Sequence, residues 1–182
     1  MGLEAWEKMK DPDALRKLCM IHGQGLTKKA PWLDGVAVLA ALAEVESKFG
    51  SNAVPRHEKS FHPGGEWNVQ ALHDEFGCWA CCAYSSWQIQ FSVARELGFP
   101  GRPEDLQKDD TAVLWVLEYI EHRILRPGCK TLEQLADAYN SGSFKDAFVP
   151  TKYVADFVTA YPVVVARRNL QPGEQNAGTN LT

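Results

Sequence analysis

The chain has 182 residues, 45% of them hydrophobic and 23% charged, with 19 Lys and Arg against 23 Asp and Glu. That composition is enough to bury a core in one domain of ordinary size and excludes a wholly disordered chain. A formal charge of −4 excludes a broad nucleic-acid surface, and the apolar runs are too short to span a bilayer.

In chain order, Met1 to Met9 carries Glu4, Trp6, Glu7 and Lys8. It does not read as a secretory signal, so a cytoplasmic start is expected. Asp11-Pro12-Asp13 opens a helix with Leu15, Leu18, Cys19 and His22 at helical spacing, and Gly23 is expected to close it. Pro31 opens a second helix through Leu33, Val36, Leu39 and Ala43 to Glu46, with Gly50 as the C-terminal cap. Ser51 to Glu66 has no apolar period and reads as an ordered loop. A short helix over 68–76 and turns over 77–86 follow. Trp87 to Leu97 reads as a helix ended by Gly98 and Pro100. Asp109 or Asp110 caps a long helix with Val113, Val116, Leu117, Ile120 and Ile124, stopped by Pro127-Gly128. Thr131 with Gln134 makes a capping-box pattern before the next helix. Tyr153, Phe157 and Tyr161 mark a last helix closed by Pro162. The expected fold is mainly α: a single domain over 1–166 with a loop-rich region at about 50–86, weak strand signals and a mobile tail over 167–182.

Glu46 carries the clearest chemical signal. At about 100° per residue it shares a helix face with Val36, Leu39 and Ala43, which should point inward. Partial desolvation and the negative end of the helix dipole both raise its pKa and favour a protonated acid near neutral pH. Breaking a glycosidic bond by general acid catalysis needs that property. The structural alternative is a core-edge carboxylate paired with Lys48 or Arg56. Glu44 lies on a different face and is expected to be solvated.

Residues 41–50, Ala-Leu-Ala-Glu-Val-Glu-Ser-Lys-Phe-Gly, resemble the catalytic helix end of the soluble lytic transglycosylases and goose-type lysozymes. The Glu of a Glu-Ser pair is the catalytic acid in that superfamily. Tyr84-Ser85-Ser86-Trp87-Gln88-Ile89 resembles its second motif, a turn leading into a Gln-Ile pair at the start of a helix. Ala138-Tyr139-Asn140-Ser141-Gly142 is similar to the third. Residues 152–158, from Lys152 through Tyr153 to Val158, resemble the closing motif, whose Tyr lines the cleft. Pro55-Arg56-His57-Glu58 is similar to a stretch common in phage lytic enzymes of the group. The resemblance spans about 37–161. His57 stands where an aromatic is usual, Trp87 where Met is more usual, and Cys78-Trp79-Ala80-Cys81-Cys82 has no counterpart.

The resemblance implies a lysozyme-like fold and a muramidase of the single-domain phage endolysin type. Such an enzyme cleaves the β-1,4 bond between N-acetylmuramic acid and N-acetylglucosamine in peptidoglycan. Glu46 would be the general acid. Gln88 and Asn140 are neutral, bifunctional hydrogen bonders suited to sugar amides and hydroxyls. Tyr139 and Tyr153 offer ring faces and a hydroxyl to steady Glu46; the alternative for Tyr139 is core packing. Glu58 is the one candidate for a second, water-activating carboxylate, against a salt bridge to Arg56 or Lys59.

The expected partner is the peptidoglycan glycan strand, met by a monomer. No cofactor, nucleic acid or membrane insertion is expected. A phage-encoded enzyme would wait in the host cytoplasm for release through a holin. The net negative charge disfavours adsorption to an anionic wall. Two alternatives stay open: a lytic transglycosylase that uses the same Glu46 to form 1,6-anhydro-muramic acid, and a catalytically silent glycan-binding or assembly protein. The five cysteines, an odd number, cannot all pair within the chain. Cys78, Cys81 and Cys82 with His57, His62 or His73 would suit a zinc-dependent hydrolase, but a structural zinc needs four clear ligands, and buried free thiols are the preferred reading.

Overall fold

The computed structural model describes residues 11–145 and 147–169, with no side-chain account of 164 and 166–169. The fold is mainly helical, with one small sheet. Helix α1 (Pro12–Lys29) starts where Asp11 accepts a hydrogen bond from the Asp13 amide. Helix α2 (Gly35–Ser47) starts where Asp34 accepts from the amides of Val36 and Ala37. Gly23 does not end α1. A Cβ there would lie 2.5 Å from the Val36 Cα, and one on Gly35 would lie 2.2 Å from the Gly23 carbonyl oxygen. These two glycines let the backbones of α1 and α2 touch, so Gly23 marks a crossing and not a stop.

All residues of α2 from Gly35 to Ala43 are buried, as expected of a helix that is apolar all round. Its inward face is therefore not confined to one stripe. Glu44 is exposed, as the sequence predicts. The cap is Lys48, not Gly50: Lys48, Phe49 and Gly50 all take positive φ, at 52°, 54° and 84°. The amides of Lys48 and Phe49 close on the carbonyls of Glu44 and Ala43. This tight reversal ends α2 at Ser47.

The loop-rich region holds more order than its composition suggests. Strands β1 (Arg56–His57), β2 (Cys82–Tyr84) and β3 (Ile89–Gln90) form an antiparallel sheet in that order. Arg56 pairs with Ala83, and Ala83 with Gln90. Helix α3 (Gln70–Phe76) and a 3₁₀ turn over Gly77–Cys81 lie between β1 and β2.

The helix expected from Trp87 begins only at Phe91, as α4 (Phe91–Glu96). Trp87 and Gln88 instead close the β2–β3 hairpin, with Ser85 and Gln88 at φ of 71° and 50°. Tertiary contacts override the local helical pattern there. Trp87 is fully buried and its Nε1 donates to the Leu39 carbonyl at 2.8 Å. Ser47 Oγ donates to the Ser86 carbonyl at 2.7 Å, and Asp109 accepts from the Ser86 amide and hydroxyl. The hairpin is thus pinned to α2 and to the start of α5 (Asp109–Tyr119).

Helix α5 continues as a π-helical turn over Ile120–Leu125 before Pro127-Gly128. Helix α6 (Leu132–Ser141) starts where Thr131 accepts from the Gln134 amide. Helix α7 (Lys152–Asn169) passes through Pro162 instead of stopping there. Pro162 is exposed, so its ring removes one helical hydrogen bond without disturbing the core. Residues 167–169 of the expected tail belong to α7, and those from 170 onward lie outside the described residues. Helix α2 packs between α1 and α7, which holds its C-terminal end, and Glu46, in a fixed place.

Candidate active site

Glu46 leaves the last turn of α2 and reaches a groove of about 830 Å³. One wall is the sheet face that carries Arg56, Ala83 and Gln90; another is the end of α6, with Tyr139 and Asn140. The Glu46 side chain is only 8% exposed. Burial raises its pKa above the ordinary 4.5, and a neighbouring Glu58 adds to the rise; a hydrogen bond from Tyr153 and the Arg56 guanidinium oppose it. Tyr153 Oη donates to Glu46 Oε1 at 2.7 Å, and Arg56 Nη1 lies 3.6 Å from Oε2. Each carboxylate oxygen thus has its own neighbour.

Glu58 lines the same groove. Arg56 Nε donates to its Oε1 at 2.6 Å, and its side chain is 37% exposed. Glu58 therefore reaches the groove and forms the ion pair with Arg56. One guanidinium stands between the two carboxylates. Arg56, which the sequence offers as a salt-bridge partner and as part of the Pro55–Glu58 stretch, is the hub of the acidic pair.

Gln88 sits at the hairpin, not at a helix start. Its Nε2 donates to the carbonyls of Ser85 and Val54 at 2.9 and 3.2 Å. This leaves Oε1 buried without a protein partner. Tyr139 and Asn140 line the groove. The Tyr139 hydroxyl donates to the Trp87 carbonyl at 2.8 Å, and its ring meets Tyr119 edge-on at 5.5 Å. Tyr139 is therefore a packed wall with an engaged hydroxyl. Tyr153, which the resemblance implies lines the cleft, reaches Glu46 through its hydroxyl and is not among the residues that line this groove.

Tyr119, Gln90, Ser92 and Trp67 also line the groove and were missed in the sequence. Gln88 lies in the hairpin turn, Gln90 ends β3 and Ser92 lies in the first turn of α4, so no single period of the sequence links them.

The cysteines spread over several environments. Cys78 is exposed, Cys81 Sγ donates to the Phe61 carbonyl, and Cys82 Sγ donates to the Cys78 carbonyl. His57 Nδ1 lies 3.3 Å from His62 Nε2. Among the described residues, no three His, Cys, Asp or Glu side chains converge on a point where a metal could sit. No family model matches the chain, nor does any curated protein or solved structure.

Proposed function

We propose that the protein is a peptidoglycan-cleaving glycosidase with a lysozyme-like fold, a muramidase of the endolysin type, in which Glu46 is the general acid. The observation that carries this reading is the burial of Glu46, with a raised pKa, on the wall of an open groove. A carboxyl group whose pKa is raised keeps its proton to higher pH, and can give it to a bridging glycosidic oxygen as the C1–O bond breaks and the sugar becomes oxocarbenium-like. Tyr153 and Arg56 fix the direction of the two carboxyl oxygens, and orientation carries much of the barrier reduction. Gln88 and Asn140 would hold sugar hydroxyl and acetamido groups, and Tyr139 would form the apolar wall beside them.

In the hydrolytic form, water attacks C1 as Glu58 takes its proton, which leaves a reducing end. A second reading is favoured by the 2.6 Å contact between Glu58 and Arg56. If that ion pair occupies Glu58, the muramic acid 6-hydroxyl attacks C1 and gives its proton to Glu46, which closes a 1,6-anhydro ring.

The test is mass spectrometry of fragments released from purified sacculi. Reducing-end muropeptides are expected, with Glu58→Gln losing most of the activity. Products about 18 Da lighter, formed equally well by Glu58→Gln, would replace hydrolysis with transglycosylation. No glycan fragments at all would overturn the reading.

A further inference from the structure

The cysteines around the 3₁₀ turn have no part in the chemistry assigned to the groove. Cys78 is exposed, and Cys81 and Cys82 are buried. Cys78 and Cys81 lie three residues apart inside the one turn, Gly77–Cys81. In a 3₁₀ helix residues i and i+3 eclipse, and at about 2.0 Å per residue their Cα atoms stand roughly 6 Å apart. A disulfide spans Cα separations of about 4.4–6.8 Å. The turn itself is held in place: Tyr84 Oη donates to the Trp79 carbonyl at 2.7 Å, and the Cys82 amide closes on the same carbonyl. Burial, and after it the charge of Cys78, raise the pKa of Cys81, and the second influence places the two sulfurs within electrostatic reach of each other.

Cys81 also ties this turn to the groove wall. Its Sγ donates to the Phe61 carbonyl at 3.2 Å, and its own carbonyl accepts from the Glu58 amide at 2.9 Å. Glu58, Ser60 and Phe61 all line the groove. The thiol proton of Cys81 therefore helps to hold the segment that carries the second carboxylate. Cys82 lies one residue past the turn, in β2, and its Sγ donates to the Cys78 carbonyl at 3.6 Å.

We propose that Cys78 and Cys81 form a reversible dithiol–disulfide pair, oxidised by low-molecular-weight disulfides, whose oxidation loosens the 58–62 segment of the groove wall. The exposed Cys78 meets the oxidant first. Its thiolate attacks one sulfur of the small disulfide, that S–S bond breaks, and one small thiolate leaves. Cys81 then loses its proton and attacks the Cys78 sulfur of the mixed disulfide, which expels the second small thiolate. The two small thiolates take up the two protons that the cysteines lost. The cysteines are oxidised to a disulfide and the small disulfide is reduced to two thiols. Oxidised Cys81 has no proton to donate to the Phe61 carbonyl, so that tie to the groove wall is gone until a thiol reduces the pair.

The test incubates the folded full chain with oxidised glutathione and reads the intact mass. The wild-type protein should lose two hydrogens, keep no glutathione, and regain both hydrogens with dithiothreitol. Chymotrypsin, which cuts after Trp79, should leave the two halves of the oxidised turn joined. Cys81→Ser should stop at the mixed disulfide and carry one glutathione, Cys78→Ser should form no internal link, and Cys82→Ser should behave as the wild-type protein does. Hydrogen exchange of the 58–62 amides should speed up by at least about threefold on oxidation, the size of one weak hydrogen bond, and slow again on reduction. Cys81→Ala, which lacks the thiol proton from the start, should show the faster exchange without any oxidant. A wild-type protein that stays reduced or keeps glutathione overturns the pair. So does a link that persists in Cys78→Ser, or one kept in Cys81→Ser and lost in Cys82→Ser. Unchanged 58–62 exchange in the linked protein overturns the tie to the groove wall. None of these readouts uses sacculus cleavage, so the pair stands or falls separately from the glycosidase reading.

Discussion

Glu46 combines two opposing influences, and their balance sets a pH dependence. Burial is the largest and raises its pKa above the ordinary 4.5; Tyr153 and Arg56 pull the other way. The folded protein therefore holds the proton more tightly than the unfolded chain does. Stability from this group is fully present below the ordinary carboxyl value and is lost as pH rises through the raised folded value. General-acid activity is lost over the same rise, because the ionised form has no proton to give. Tyr153→Phe removes a hydrogen bond that favours the ionised form, so both transitions should move to higher pH. Urea denaturation across a pH series and turbidity clearing of cell walls measure the two limbs. A shift to lower pH in Tyr153→Phe, or stability without any fall on the alkaline side, would contradict this account of Glu46. At this scale the sequence was most readable: an acidic residue in the last turn of an apolar run needs little long-range information to be placed near an interior.

The α1–α2 crossing yields a paired prediction at the element scale. Gly23 and Gly25 lie on the same helix, but only Gly23 touches α2: a Cβ on Gly25 meets nothing within 4 Å. Gly25→Ala should stabilise the protein by about 0.5–1 kcal/mol through helix propensity alone. Gly23→Ala should destabilise it by about 1–3 kcal/mol, because the added methyl meets backbone and not a movable side chain. Thermal or urea denaturation of the two variants decides it, and equal signs would refute the crossing. The same pair explains what the sequence hid. A glycine that permits close approach and one that ends a helix look alike locally, so Gly23 read as a stop. Trp87 and Gln88 read as helix for a similar reason. Their hairpin is specified by Leu39, Ser47 and Asp109, which lie 20 or more residues away and leave no local trace. The two-residue strands β1 and β3 are too short for alternation to register. Helix starts were clearer, since Asp11 and Thr131 cap within their own turns.

Over the whole molecule, the groove gathers residues from α2, all three strands, α4 and α6, with Glu46 held from behind by α7. The candidate chemistry is routed through a carboxyl group and positioned hydrogen bonds, with no step assigned to a metal. Prolonged treatment with a strong chelator should therefore leave lytic activity and Tm unchanged. Loss of activity that zinc restores would show that the mechanism is wrong.

The central claim is that Glu46 supplies the proton, and Glu46→Gln tests it most directly. Glutamine keeps the shape and cannot donate as an acid. Fragment release from purified sacculi by the folded variant should fall by about 10²–10⁴-fold or more against the wild-type protein, with Tm unchanged or slightly higher because a buried ionisable group is neutralised. Release at the wild-type rate by a folded Glu46→Gln protein would remove Glu46 from the mechanism and the account with it.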